Sequence, residues 1–193
     1  MPVESALKVY IDFRSPAAYL AFKPTCLLID RLGVITEWLP FQSPVKPVPE
    51  PAPNETRGET HRRVRAVARQ QTHQLYADLQ GIPLHFPAQP GRCDCAHAAL
   101  LNLAPGKAQS YVASAFDAYW VQGADLNDPQ IVAELGGGEI PGDYDIPAQL
   151  SLHQANAIEQ DGVVDVPAYV VGGQLFIGRE HLPWLEEVLV QLA

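Results

Sequence analysis

The chain has 193 residues, 47% of them apolar, with 13 basic against 22 acidic side chains and a formal net charge of −9. That length accommodates one large domain, or one domain with a sizeable insertion, and the acidic balance argues against a general nucleic-acid surface. No apolar run is long enough to cross a bilayer and the first residues lack the basic-then-apolar pattern of a secretory leader, so the expected setting is the cytoplasm.

Residues 7–13 read as an apolar strand running into Arg14-Ser15-Pro16, and residues 16–32 as a helix ended by Gly33. A side chain at such a corner is held in a cleft beside backbone N–H groups that have no intrahelical partner. A thiolate or another anion is stabilised there. Redox proteins put the first cysteine of a C-x-x-C pair at this corner. Here Ser15 and Ala18 occupy the two positions, so the corner cannot cycle a disulfide.

Residues 34–39 read as a second strand, parallel to the first through a right-handed crossover. Pro44, Pro47, Pro49, Pro51 and Pro53 make residues 43–53 an extended loop, either a plain connector or a wall beside a cleft. A long helix is expected over 55–79, stopped by Gly81 and Pro83. Its Arg57, Arg62, Arg63, Arg65 and Arg69 form a solvated face or a cationic wall turned to an acidic small molecule.

Further helices are expected over 94–103, 109–122 and 129–135; the second carries Val112, Ala115, Phe116, Tyr119 and Trp120 near one face, a core-packing stripe. Residues 136–145 are glycine-rich, but no strand precedes them and no Lys-Ser/Thr follows, so they are not a phosphate loop. A helix over 147–160, a strand over 167–171, the hairpin signal Gly172-Gly173, a strand over 174–177 and a helix over 181–192 complete the order.

Three cysteines are too few for a disulfide scaffold. Cys26 falls in an apolar helical pattern. Cys93, Cys95 and His97 form a C-x-C-x-H run without the second ligand pair of a structural zinc site, and a disulfide across one residue would be strained. Buried packing is the first expectation for them, with metal or redox work second.

The order β-α-β, helical insertion, α-β-β-α is that of a thioredoxin-like fold, an α/β architecture with an all-helical insertion after the second strand. Residues 1–44 and 147–193 would form the core and 45–146 the insertion. Several motifs also resemble one family. Asp12-Phe13-x-Ser15-Pro16-x-x-Tyr19-Leu20-Ala21 is similar to the opening motif of 2-hydroxychromene-2-carboxylate isomerases and kappa-class glutathione transferases, in the DsbA-like group. Tyr119-Trp120-x-x-Gly123-x-Asp125-Leu126-x-Asp128-Pro129 resembles their insertion signature. Val166-Pro167-Ala168-Tyr169-Val170-Val171, then Gly173-Gln174-Leu175-Phe176, resembles their penultimate hairpin, and Gly178-Arg179-Glu180-His181-Leu182 stands where the last helix opens.

The resemblance implies a glutathione site. Ser15 would hydrogen-bond the glutathione sulfur; Arg14, adjoining the site, would stabilise an anion or else point to solvent. Val166 would pair its backbone with the cysteinyl unit as an added strand, beside a cis Pro167. Gly178, Arg179 and Glu180 would meet the γ-glutamyl end; Ser15 as a helix cap and Glu180 as a helix-start acid are the plain alternatives. Lys23 and Asn54 are further candidates for the site, and Tyr19, Trp38, Phe41 and Trp120 are pocket aromatics or, more commonly for such residues, core packing. Members often carry a Lys and a Gly-Asn pair after the second strand, and Ser-Asp or Gln-Asp after the last glycine. This chain has the proline loop and Arg179-Glu180 instead, and both changes fall on glutathione contacts.

The implied activity is a redox-neutral isomerisation of an unsaturated aromatic acid by thiolate addition and elimination, in a cytoplasmic homodimer. A kappa-like transferase and a non-catalytic thioredoxin-fold binding protein are the alternatives.

Overall fold

The computed structural model describes residues 7–44, 48–104, 106–136 and 145–192. The expectations for Pro47, Pro105 and most of the glycine-rich stretch, residues 137–144, lie outside them. Four strands form one mixed sheet in the order β2-β1-β3-β4. These are β1 (Leu7–Ile11), β2 (Thr36–Pro40), β3 (Ala168–Val171) and β4 (Gln174–Ile177). β1 pairs parallel with β2 and antiparallel with β3, and β3 pairs antiparallel with β4. Central β1 is buried along nearly its whole length, which explains why its sequence is a continuous apolar run rather than an alternation.

The helices are α1 (Pro16–Leu32), α2 (Arg57–Gln80), α3 (Asp94–Leu101), α4 (Ala108–Trp120), α5 (Pro129–Gly136), α6 (Ile146–Asp161) and α7 (Leu182–Leu192), with a 3-10 turn at Arg179–His181 before α7. The first strand stops two residues short of the expected end. Asp12 turns the chain there, its carbonyl accepting from Ser15 N (2.9 Å) and its Oδ1 from Arg14 N (2.9 Å). The second strand starts later than expected because Val34 N still bonds Ile29 O (3.2 Å), closing the left-handed turn at Gly33. It runs on through Pro40, tolerable because β2 is an edge strand.

Two local devices fix the helices around the site. α2 opens on a capping box between Thr56 and Glu59. Pro24 lies inside α1 and has no N–H for the carbonyl of Leu20; Gln80 Nε2, from the end of α2, donates to that oxygen at 3.2 Å. The two helices are thereby tied where one of them is weakest. Gly172 and Gly173, at φ 54° and 75°, make the two-residue turn between β3 and β4 that the sequence signals.

Candidate active site

Ser15 is the N-cap of α1, and its Oγ accepts a hydrogen bond from Ala18 N at 3.2 Å. The capping role is therefore filled. It uses an acceptor lone pair and leaves the hydroxyl hydrogen free to donate. Pro16 at the first helical position has no N–H, and Ala17 N–H has no intrahelical carbonyl within reach. The corner thus offers a hydroxyl donor and the positive end of a helix dipole.

This corner forms part of a cavity of about 530 Å³, a size ordinary for a small-molecule site. Arg14, Ser15, Pro16 and Ala17 line one side, joined by Ser43 and Val166. α2 contributes Ala66, Arg69, Gln70 and His73, and Phe86, Tyr119 and Trp120 are in the lining too.

Asp12 organises the first side. It is 1% exposed. Arg14 Nε and Nη2 donate to its two oxygens at 3.0 and 2.7 Å, and Ser43 N donates to Oδ2 at 2.9 Å. His97, wholly buried and stacked on Phe13, accepts from Phe13 N at Nε2 (3.4 Å), and the same nitrogen stands 3.5 Å from Asp12 Oδ1. Burial by itself would raise the Asp12 pKa; His97 and the Arg14 guanidinium outweigh it and hold the carboxyl well below the usual range. Burial works against the Arg14 cation too, but its bonds to Asp12 win and keep it charged.

Among the residues that the sequence points to, Ser15, Arg14 and Val166 line the cavity together. The Val166–Pro167 bond is cis, as the resemblance implies. Val166 N–H is already engaged, donating to Asp165 Oδ1 at 3.0 Å, and Ser43 Oγ donates to the same oxygen at 3.0 Å. Pro167, Gly178, Arg179 and Glu180 do not line the cavity, although Gly178 N donates to Pro167 O at 2.8 Å and so adjoins its edge. Arg179 places its guanidinium 3.8 Å over the ring of Tyr76 on α2. Glu180 curls its carboxylate back against Gly178, in the space a Cβ would need.

Trp120, Trp38 and Phe41 are all buried in the core, and of the three only Trp120 touches the cavity. Tyr19 stacks on Trp120 and donates its hydroxyl to Pro83 O at 2.8 Å. Lys23 and Asn54 are exposed and are not in the lining. Cys93 and Cys95 are free and buried; burial, ahead of nearby Asp12, pushes the Cys93 thiol up, away from reactivity. No cluster suited to a metal ion exists among the described residues, and no helix there is long and apolar enough to cross a membrane.

Sequence reasoning did not single out His73, Asp165 or the support of Asp12 by His97. Asp12 stands in the opening motif and Arg69 in the arginine run, so both carried a signal. His73 had a weaker one: it lies four residues after Arg69, on the same helical face.

A family profile described as DSBA-like thioredoxin domain matches residues 6–190. The chain belongs to this family. A 2-hydroxychromene-2-carboxylate isomerase of Sphingobium xenophagum is 27% identical over 198 residues, covering 94% of this chain and 96% of that protein. Among solved structures, a 2-hydroxychromene-2-carboxylate isomerase superposes with a TM-score of 0.73 at 23% identity, covering 96% of this chain and 95% of the other. The cytosolic disulfide reductase DsbM of Pseudomonas aeruginosa, solved with GSH, gives a TM-score of 0.61 at 15% identity, covering 96% of each chain. At these identities the two structural matches speak for the DsbA-like thioredoxin fold, and the chain has that fold.

Proposed function

We propose that this DsbA-like protein is a glutathione-dependent, redox-neutral isomerase of unsaturated aromatic acids, similar in action to 2-hydroxychromene-2-carboxylate isomerase. The observation that carries this is the Ser15 hydroxyl. It lies at the mouth of a helix N-terminus, its lone pair held by Ala18 N–H and its hydrogen free, on the wall of a cavity sized for two small reactants. A donor there favours a bound sulfur as thiolate, which matters because an ordinary thiol titrates near pH 8.5.

Glutathione, when bound, would supply a thiolate that adds to a conjugated carbon–carbon double bond, lets the resulting single bond rotate, and leaves unchanged as the double bond re-forms. The protein's share is binding and charge. Ser15 Oγ–H donates to the sulfur. Arg14, held to Asp12 through Nε and Nη2, keeps Nη1 without a hydrogen bond among the described residues, and that group can take the oxygen on which negative charge develops. The Val166–Pro167 edge would receive the peptide backbone, with Asp165 Oδ1 yielding Val166 N–H to it. The γ-glutamyl end would then run toward Gly178, Arg179 and Glu180. The Sphingobium relative and the GSH found with DsbM support the reading. A reducing cytoplasm suits it, and a homodimer follows from the resemblance alone.

The test is isomerisation of 2-hydroxychromene-2-carboxylate with and without glutathione, with total thiol measured alongside. Turnover that requires glutathione and leaves total thiol constant is expected. Stoichiometric thiol loss would instead make the protein a kappa-like transferase. Failure to retain glutathione at millimolar concentration would leave only a thioredoxin-fold binding protein.

A further inference from the structure

α2 breaks the rule that a long helix buries an apolar stripe. Over 24 residues its one fully buried side chain is Ala77. The face turned to the cavity carries Ala66, Arg69, Gln70 and His73, at spacings of three, four and seven, so a polar stripe stands where a packing stripe would be. The next turn holds Tyr76, under the guanidinium of Arg179.

The charges on this face are not answered by the protein. Arg14, Arg31, Arg63 and Arg92 each pair with a carboxylate. Arg69, exposed, has no ion pair or hydrogen bond among the described residues, as is also true of Arg57 and Arg65; what sets Arg69 apart is that it lines the cavity, beside His73, which has none either. Burial first, then Arg69 and Arg179, lower the His73 pKa, as expected of a basic group among uncompensated positive charge.

The cavity lining also includes Phe86, Tyr119 and Trp120, beside Pro87, Ala88 and Pro90. Trp120 is 2% exposed, and its indole N–H has no acceptor among the described residues. Trp120 is already packed against Tyr19, Phe86 and Tyr119, so the ring left to meet a ligand is half-buried Phe86. An open cation in a cavity that also holds this ring suits an aromatic acid.

We infer that Arg69, with Gln70 and His73 beside it, forms a carboxylate subsite that holds the aromatic acid with its anionic end toward α2 and its reacting carbons toward Ser15. The catalytic meaning of this subsite rests on the reading above; its existence as an aromatic-carboxylate site does not. Arg69 is then a specificity residue, and the thiol stands at the Ser15 corner of the same cavity.

Equilibrium dialysis of the full chain without glutathione tests it, with trans-cinnamate and uncharged trans-cinnamamide as probes. Wild type should bind cinnamate at least tenfold tighter than the amide. Arg69→Gln should abolish that preference without changing amide binding, Arg69→Lys should restore part of it, and Arg57→Gln, exposed and outside the cavity, should leave it intact. Equal binding of the two probes by wild type would overturn the inference, and so would equal weakening of both by Arg69→Gln. In a parallel arm with glutathione and its glycyl ethyl ester, Arg69→Gln should change neither. Weaker glutathione binding with cinnamate unaffected would assign the arginine to the peptide's own carboxylate and overturn the inference. If glutathione is neither retained nor required while the acid preference persists, only the proposed function fails. If thiol is required but Arg69→Gln discriminates nothing, only the subsite fails.

Discussion

The two walls of the cavity handle charge in opposite ways. Around Asp12 the polar groups are mostly engaged: Asp12 gathers Arg14 and Ser43 N with His97 in contact, Asp165 holds Val166 N–H, and Ser15 caps α1, although His97 Nδ1 is buried without a partner among the described residues. Facing the cavity from there are a hydroxyl hydrogen and one end of a guanidinium, both fixed by their bonded halves. On the α2 side Arg69 and His73 have no such partners among the described residues. A closed network gives precise placement, as chemistry on a sulfur and an oxyanion needs. An open cation gives selectivity for whatever anion arrives.

The largest expected effect lies in the closed network. Asp12→Ala should destabilise the fold by about 3–5 kcal/mol in a urea titration, because it leaves the mostly buried Arg14 guanidinium without its carboxylate and Ser43 N without its acceptor. A loss below about 1 kcal/mol would mean that Asp12 is not the hub of that wall. Ser15→Ala should come next. Glutathione-dependent turnover should fall by about tenfold to a hundredfold, while stability drops only by about 1 kcal/mol for the lost cap. Activity falling only in step with stability would reduce Ser15 to its capping role.

A pH series sharpens the same wall. The folded-state pKa of Asp12 is depressed, so its contribution to stability is complete above the ordinary carboxylate range and is lost as pH falls below about 4. Asp12→Asn should flatten that part of the stability profile, read as the denaturation midpoint against pH. An unchanged slope would place the acid sensitivity elsewhere.

The hinge between the walls should respond more mildly. Gln80→Ala leaves Leu20 O, already deprived of an amide by Pro24, without its donor and should cost about 1 kcal/mol. It should also weaken cinnamate binding more than glutathione binding, because α2 carries the acid's subsite. The smallest effect is expected at Arg65→Gln, which touches the same helix outside the cavity; cinnamate affinity should stay within twofold of wild type. A loss as large as that of Arg69→Gln would spread the selectivity over the whole arginine run rather than one face.

Much of this could be read along the chain. Ser15-Pro16 announces a capped helix start, Gly33 and Gly172-Gly173 announce a helix end and a hairpin, and all three stand where the local rules put them. Local rules work there because each feature is decided within a few residues, by a dihedral angle or a missing N–H. Strand ends were less legible. Asp12 and Phe13 look like more strand until the Asp12 side chain is seen to fold the backbone back toward Ser15.

The site divides along the same line. By itself, the sequence established that a serine rather than a cysteine stands at the strand-to-helix corner, that no disulfide can cycle there, and that five arginines cluster in one stretch. Tertiary structure alone selected Arg69 from those five, because which face of α2 meets the cavity depends on how the helix packs against α1 and not on its composition. It alone brought Asp12, Ser43 and His97 into one network, and Val166 beside Ser15. Pairings between residues so far apart in the chain are set when the sheet closes and the helices pack over it, which no local propensity encodes.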